Sequence, residues 1–418
     1  MIVDVSGAGI DLKEHEEILK SSKEWHKKLR SNCKDYLGAD YTGWVDLPVK
    51  DHESLICDIK KTAEEIRHRC TLFIVIGIGG SFLGAKAMIE ALNGSKAGYP
   101  EVVFAGINFT SSYHEKLINR LKNESVYICV ISKSGRTVEP CLMYAILKEK
   151  MIEKYGNDEA RRRIIVITDE TKGDLRQEVC ETQMKSYVIP DDIGGRYSVL
   201  SPVGLVPISV AGHDIQKLID GAKTMSADFC EREDDFISYT VARCAAQSIG
   251  KKVEVFEYFD HNLIGFGEWL VQLFAESEGK EGKGAFPTCL QFSRDLHSIG
   301  QFLQQGNPIF YETIIRVANK YTDITIPDYA GYPYTGKTLN QINVCAEEGV
   351  ILAHKKAGTP VLSIQVDTLD EFNLGKMIYF FEMSAALSAY NLGVNPFDQP
   401  GVEAYKAEMM QNIRRLDD

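Results

Sequence analysis

The sequence predicts an α/β protein built on parallel sheets, and three observations predict it. Short continuous apolar runs at residues 72–76, 102–105, 126–131 and 164–167 have the length of strands buried on both faces. Stretches of helical character separate these runs, and that alternation implies a parallel sheet with right-handed crossovers. Two turns rich in glycine and hydroxyl residues follow the first and third runs: Gly77-Ile78-Gly79-Gly80-Ser81 and Ser132-Lys133-Ser134-Gly135-Arg136-Thr137. In such sheets ligands bind beyond the carboxyl ends of the strands, where both turns fall.

Taken in order, residues 1–50 read as a helical segment. Asp11 is the expected N-cap of an amphipathic helix running through Leu19, and His15, His26 and His52, in charged surroundings, are expected at the surface. The first α/β domain is expected over 51–215, with a helix from about 82 to 92 after the first glycine turn. A second is expected over 216–375, with a helix at 235–247, a strand at 252–256, a helix ending near Gly279 and a buried strand at 359–366. A last long helix over 374–392 carries Met377, Phe380, Phe381, Met383 and Leu387, a stripe suited to a core. A charged helix occupies 395–418, and residues 376–418 are assigned to a C-terminal helical arm.

The 418 residues suffice for two or three domains, and 44% hydrophobic with 25% charged residues is ordinary for a globular protein. A net charge of −12 argues against nucleic acid and anionic membrane surfaces as partners. It leaves room for a small phosphorylated ligand, which needs only a local nest of donors. No apolar run approaches a membrane span, and Met1 is followed by Ile-Val-Asp-Val-Ser-Gly rather than a basic–apolar leader, so a cytoplasmic location is expected. The ten cysteines are scattered, with no Cys-x-x-Cys and no grouping with histidine, which predicts free thiols; Cys129, inside an apolar run, is expected in the core.

The chemistry centres on residues 265–280. Trp269, Leu270, Leu273 and Phe274 recur at helical spacing, and Gln272 and Glu276 share the face beside that stripe. A carboxylate at the end of an apolar helix can be partly dry, which raises its pKa toward that of a general base; the alternative is a solvated surface glutamate. The turn at residues 77–81 lacks the third glycine of a dinucleotide fingerprint, because Phe82 stands there, and Lys86 is one place late for a Walker loop. What remains is a glycine turn at a helix N-terminus, able to set backbone N–H groups and Ser81 against an anion, or simply to pack a helix on a sheet. Residues 132–140 offer hydroxyls, a glycine and two cations before a helix whose first turn holds Pro140. That suits the oxygens of a phosphate, or else is an N-cap cluster with solvated cations. Arg196, after Gly194 and Gly195, is held on tight backbone, as for an arginine aimed at an oxyanion; a surface loop arginine is the alternative.

These blocks, with Glu276-Ser277-Glu278-Gly279-Lys280, Asp295-Leu296-His297-Ser298-Ile299-Gly300-Gln301 and Phe397-Asp398-Gln399-Pro400-Gly401-Val402-Glu403-Ala404-Tyr405-Lys406, strongly resemble the glucose-6-phosphate isomerase family, nearest its shorter bacterial form. They run in the family's order from about residue 70 to the C-terminus. The resemblance implies two sugar-isomerase (SIS) type α/β domains, each a parallel sheet flanked by helices, and a homodimer with shared active sites. It implies glucose 6-phosphate and fructose 6-phosphate as substrates, and neither metal nor cofactor. It assigns Glu276 as the base that moves a proton between C2 and C1 through a cis-enediol. His297 would open the ring with help from Lys406, and Arg196 would stabilise the enediolate. Gly80, Ser81, Ser132, Lys133, Ser134, Gly135, Arg136, Thr137 and Gln272 match substrate-contacting positions. The chain departs from the family at Arg136, where a threonine is usual, and at Val138, where a small hydroxyl residue is common. A phosphosugar sensor without turnover would have no need of Glu276, His297 and Lys406 together. A metal-dependent sugar isomerase would want a local His/carboxylate motif, and no His-x-His or His-Glu-x-x-His occurs.

Overall fold

The computed structural model describes residues 1–31, 34–231, 233–328, 331 and 333–416. Cys33 lies outside them, as does the side chain of Cys230; the other eight cysteines are free thiols, and Cys129 is fully buried. Among the described residues there are ten strands: β1 (Ile2–Asp4), β2 (Leu72–Ile76), β3 (Glu101–Ala105), β4 (Val126–Ile131), β5 (Ile164–Thr168), β6 (Lys185–Val188), β7 (Val253–Tyr258), β8 (Phe286–Gln291), β9 (Phe310–Val317) and β10 (Val361–Val366). They form two five-stranded sheets, ordered β3-β2-β4-β5-β6 and β1-β10-β9-β7-β8. Every pairing is parallel except that of β1 with β10. The parallel strands of both sheets are wound alike, the first lying between the second and the third. That order makes a switch point between β2 and β4 in one sheet and between β7 and β9 in the other, where crevices open at the carboxyl ends. Every residue of β2 and β4 is buried, which is why they read as unbroken apolar runs.

Helices fill both faces. The helix Glu371–Asn391 is buried along nearly its whole length and is correspondingly apolar on every side. Residues 376–391, assigned from the sequence to a C-terminal helical arm but with a stripe suited to a core, run through the core. This helix lies against Ile215–Glu231 with backbones in contact: a Cβ on Gly375 would fall 2.0 Å from the Leu218 carbonyl oxygen, and one on Gly221 1.9 Å from that of Phe372. The N-terminal segment also differs from expectation. Residues 2–4 add an antiparallel edge strand to the second sheet, and the first α-helix starts at Glu16 after a 3-10 turn over Leu12–His15, with no side-chain cap. His26 is buried, and desolvation pushes its imidazole down to about 4. No helix of the described residues is long and apolar enough to cross a membrane.

A charged network lies in the dry interior. Arg243 is fully buried between Glu254 of β7 and Glu278, donating from Nε to Glu254 Oε1 at 2.9 Å and from Nη1 to Glu278 Oε1 at 2.8 Å. Tyr311 and Thr313 hydroxyls also donate to Glu254, at 3.0 and 2.9 Å, and the guanidinium lies 4.0 Å from the Phe274 ring centroid. Removing the cation leaves two carboxylates in the core without a counter-charge. Arg243→Met is therefore expected to cost about 3–5 kcal/mol of stability, read as a lowered urea midpoint. An unchanged midpoint would show that the core does not depend on this network.

Candidate active site

The cleft forms at the β2/β4 switch point. After β2 the chain makes a 3-10 turn over Gly79–Ser81 and enters the helix Leu83–Ala91. Gly80 packs directly on a second 3-10 turn, Gly195–Tyr197: a Cβ there would fall 2.1 Å from the Gly195 carbonyl carbon. Only glycine lets the two turns touch, so the close approach fixes Arg196 relative to Ser81.

After β4, the Ser132 hydroxyl accepts the Gly135 N–H at 3.1 Å and the Ser134 hydroxyl accepts the Arg136 N–H at 3.2 Å. Gly135 has φ +69°, a conformation glycine adopts at little cost. The helix Val138–Arg162 begins next, and Thr137 at its cap position makes no side-chain capping bond. This hydroxyl is not spent as a cap, and the first helical N–H groups face an anion-friendly end. Lys133 donates to the Asp191 carbonyl at 2.9 Å, and the exposed Arg136 is paired with Asp174, Nη2 to Oδ1 at 2.9 Å. Asp169, just past β5, accepts the N–H groups of Thr171 and Lys172, which hold its carboxyl down at about 2. Gly80, Ser81, Ser132, Lys133, Ser134, Arg136 and Thr137 line one cleft of about 660 Å³, together with Asp169, Lys172, Gly195 and Gln399.

Glu276, on the helix Ile264–Glu278, does not itself line this cleft and is linked to its wall through Arg196 and Gln399. That helix packs against Leu83–Ala91, tied by Lys86, whose Nζ reaches Glu268 at 2.7 Å and Glu90 at 3.0 Å. Trp269, Leu270, Leu273 and Phe274 are buried, as their spacing predicts. The last turn then sends Glu278 to Arg243 in the core, and Ser277 and the half-buried Glu276 to Arg196. Arg196 is 2% exposed. It donates from Nε to Ser277 at 3.0 Å, from Nη1 to Glu276 Oε2 at 2.9 Å and Gln399 Oε1 at 3.0 Å, and from Nη2 to the carbonyls of Glu276, Pro396 and Asp398. Gln272 donates to Glu276 Oε1 at 3.1 Å. The carboxylate is thus held by an arginine and an amide, with Arg196 Nη1 bridging it to Gln399 on the cleft wall, and its surroundings are more polar than the apolar helix predicts.

A hydroxyl-lined anion subsite with a clamped carboxylate beside it suits a phosphosugar, and the family model described as Phosphoglucose isomerase matches residues 59–311. The chain belongs to the phosphoglucose isomerase family. It is 43% identical over 389 residues to a glucose-6-phosphate isomerase of Pediococcus pentosaceus, covering 89% of this chain and 87% of that relative. A crystal structure described as that of a hypothetical protein from Thermus thermophilus superposes with TM-score 0.88 at 25% identity over 99% of each chain. A glucose-6-phosphate isomerase from Chlamydia trachomatis shares the fold, with TM-score 0.79 at 19% identity over 97% of this chain and 85% of that one. The architecture is that of the sugar-isomerase type, two sheets flanked by helices.

Not every residue expected to act in a phosphoglucose isomerase stands at the cleft of this single chain. His297 ends the 3-10 turn Arg294–His297, is exposed, and its ring makes no hydrogen bond or ion pair among the described residues. Lys406, on the helix Gly401–Arg414, is paired with Glu403 at 2.8 Å. Neither lines the cleft, and Gly135, Arg196, Gln272 and Glu276 do not line it either; of these, Arg196 and Glu276 are joined to its wall through Gln399. Conversely, Gln399, Asp169 and Lys172 line it without having been singled out. For Asp169 and Lys172 the available signal was their place just after a buried strand; for Gln399 it was only the Phe397-to-Lys406 block.

Proposed function

We propose that this chain interconverts glucose 6-phosphate and fructose 6-phosphate in the cleft at the β2/β4 switch point, with Glu276 as the base. The observation that carries the proposal is the Arg196 clamp, whose Nη1 joins Glu276 to Gln399 on the wall of a cleft that is also lined by the hydroxyls of a helix N-terminus. In the open-chain aldose, Glu276 takes the C2 proton and the electron pair moves through C2–C1 to the carbonyl oxygen, giving a cis-enediol(ate). The same carboxyl returns the proton to C1 while the C2 hydroxyl gives its proton to the C1 oxygen, so that C2 becomes the ketone and C1 the alcohol. No electron leaves the substrate, so the step needs no redox partner. All the Arg196 nitrogens already donate to protein oxygens. Stabilising the developing oxyanion therefore requires the substrate to displace one acceptor, and Gln399 is the one on the wall. Ser132, Ser134, Thr137, Ser81 and the backbone of Gly80 hold the phosphate, with Gly135 shaping the turn, Lys133 at the rim and Gln272 steadying Glu276. A coupled assay that follows glucose 6-phosphate appearing from fructose 6-phosphate tests the proposal. Tight phosphosugar binding with no turnover would make the chain a sensor instead.

Arg136 belongs to the rim of the phosphate subsite in this proposal, but Asp174 competes for it. Exposed pairs are weak, so Arg136→Thr is expected to raise KM about two- to fivefold and to weaken inhibition by inorganic phosphate in parallel, with kcat unchanged. If both constants stay at their starting values, Arg136 is only the partner of Asp174.

The working unit is proposed to be a cytoplasmic homodimer in which His297 of one chain completes the site of the other, opening the ring with help from Lys406. Ile299 and Phe302 stand 37% and 44% exposed beside His297, an apolar surface suited to a second copy.

A further inference from the structure

β7 sends two acids to opposite faces of the second sheet. Glu254 meets Arg243 on one face; Glu257, three residues on, points to the other. There the register sets Val255 opposite Glu312 of β9, so Glu257 and Glu312 are diagonal neighbours on one face, and His354 of the covering helix Leu339–Lys356 reaches down to them. All three are buried: Glu257 and Glu312 at 0% and His354 at 3% exposure. One ligand atom from each lies within 4.8 Å of the others. His354 Nδ1 pairs with Glu312 at 2.8 Å, but both Glu257 oxygens are buried without a hydrogen-bond partner. The layer around them holds Val255, Phe259 and Phe310.

We propose that Glu257, Glu312 and His354 bind a divalent first-row transition-metal ion, zinc by preference, that fastens β7, β9 and the covering helix together. A buried carboxylate with no partner for either oxygen carries a large desolvation cost, and the group that relieves it must fit between the three side chains. A proton on Glu257 alone finds no acceptor within bonding distance. A water supplies hydrogen bonds but leaves two acids against one imidazole. A divalent cation neutralises both carboxylates and takes the imidazole nitrogen as a neutral ligand. Calcium and magnesium favour more donors, all of them oxygens, whereas two carboxylates and a histidine suit zinc. The site is closed, so the ion enters as the chain folds and serves structure rather than turnover. The proposal is independent of the isomerase cleft. The three residues come from separate elements, so no local ligand motif marks them in the sequence.

Elemental analysis of the full chain, purified with its tag removed and no metal added, is expected to find about one transition-metal ion per chain. After unfolding, refolding in zinc should give a higher Tm than refolding in chelator. Glu257→Gln should lose the ion at least tenfold and abolish that Tm difference. Three results would overturn the proposal: a metal-free wild type with the same Tm after both refoldings, an ion fully retained by Glu257→Gln, or a Glu257→Gln Tm at or above wild type, the mark of a protonated acid bridged by water. If the variant does not fold, the wild-type metal content and the paired refoldings decide alone.

Discussion

Glu276→Gln is expected to lower kcat roughly a thousandfold while leaving KM within a few-fold of its starting value. The amide keeps the side chain's shape and its oxygen can still accept from Arg196 Nη1, the bond that clamps the helix end to the loop at 396–399. Its NH2 would then meet the Gln272 amide, which now donates to Glu276 Oε1 at 3.1 Å. Gln272 Oε1 is buried without a partner, so a flip of that amide turns an acceptor toward the new donor. The variant should therefore fold and melt like the wild type and bind the phosphosugar, because the residues proposed to hold the phosphate make no hydrogen bond to Glu276. What it lacks is a group that can carry a proton from C2 to C1. Turnover within about tenfold of wild type, at unchanged Tm, would remove Glu276 from the role of base.

Much of this was legible because burial and sequence pattern coincide in the first sheet. β2, β4 and β5 are covered on both faces, so nearly every position is apolar, Thr168 at the end of β5 excepted, and the strands announced themselves. In the second sheet the same topology is obscured by charge. Glu254 and Glu257 interrupt β7, Glu312 interrupts β9, and Pro287 sits in β8. β8 and β9 were not recognised from the sequence for that reason. Glu254 and Glu312 meet partners on other elements, Arg243 eleven residues away and His354 42 residues away, and pairing of that kind has no local signature. The cleft repeats the lesson. Residue types around Ser81, Ser132 and Thr137 pointed to an anion subsite at the right strand ends, whereas the Arg196 clamp joins positions some 80 and 200 residues apart and needed coordinates. His26, read as a surface residue from its charged neighbours, is buried because its helix turns that position inward.

Mixing two inactive variants, Glu276→Gln and His297→Asn, is expected to restore roughly a quarter of wild-type activity. His297 is exposed beside the exposed apolar side chains of Ile299 and Phe302, which is the placement a residue needs if it serves a neighbour. Suppose each site uses Glu276 of one chain and His297 of the other. In a mixed dimer one site then carries both lesions and the other carries none. Random exchange makes about half the dimers mixed, and each of those has one intact site of two, which gives the quarter. If both residues serve the same chain's site, every site keeps one lesion and mixing restores nothing. The two variants are unfolded and refolded together, exchange is confirmed with differently tagged chains, and the mixture is assayed against each variant refolded alone. Lys406 supplies a control on the same preparation: Lys406→Met mixed with Glu276→Gln reports whether the C-terminal helix serves its own site or the partner's by the same arithmetic. Confirmed mixed dimers with no recovered activity from the first pair would place His297 in the site of its own chain, reached by movement of the 294–297 turn, or take it out of the mechanism.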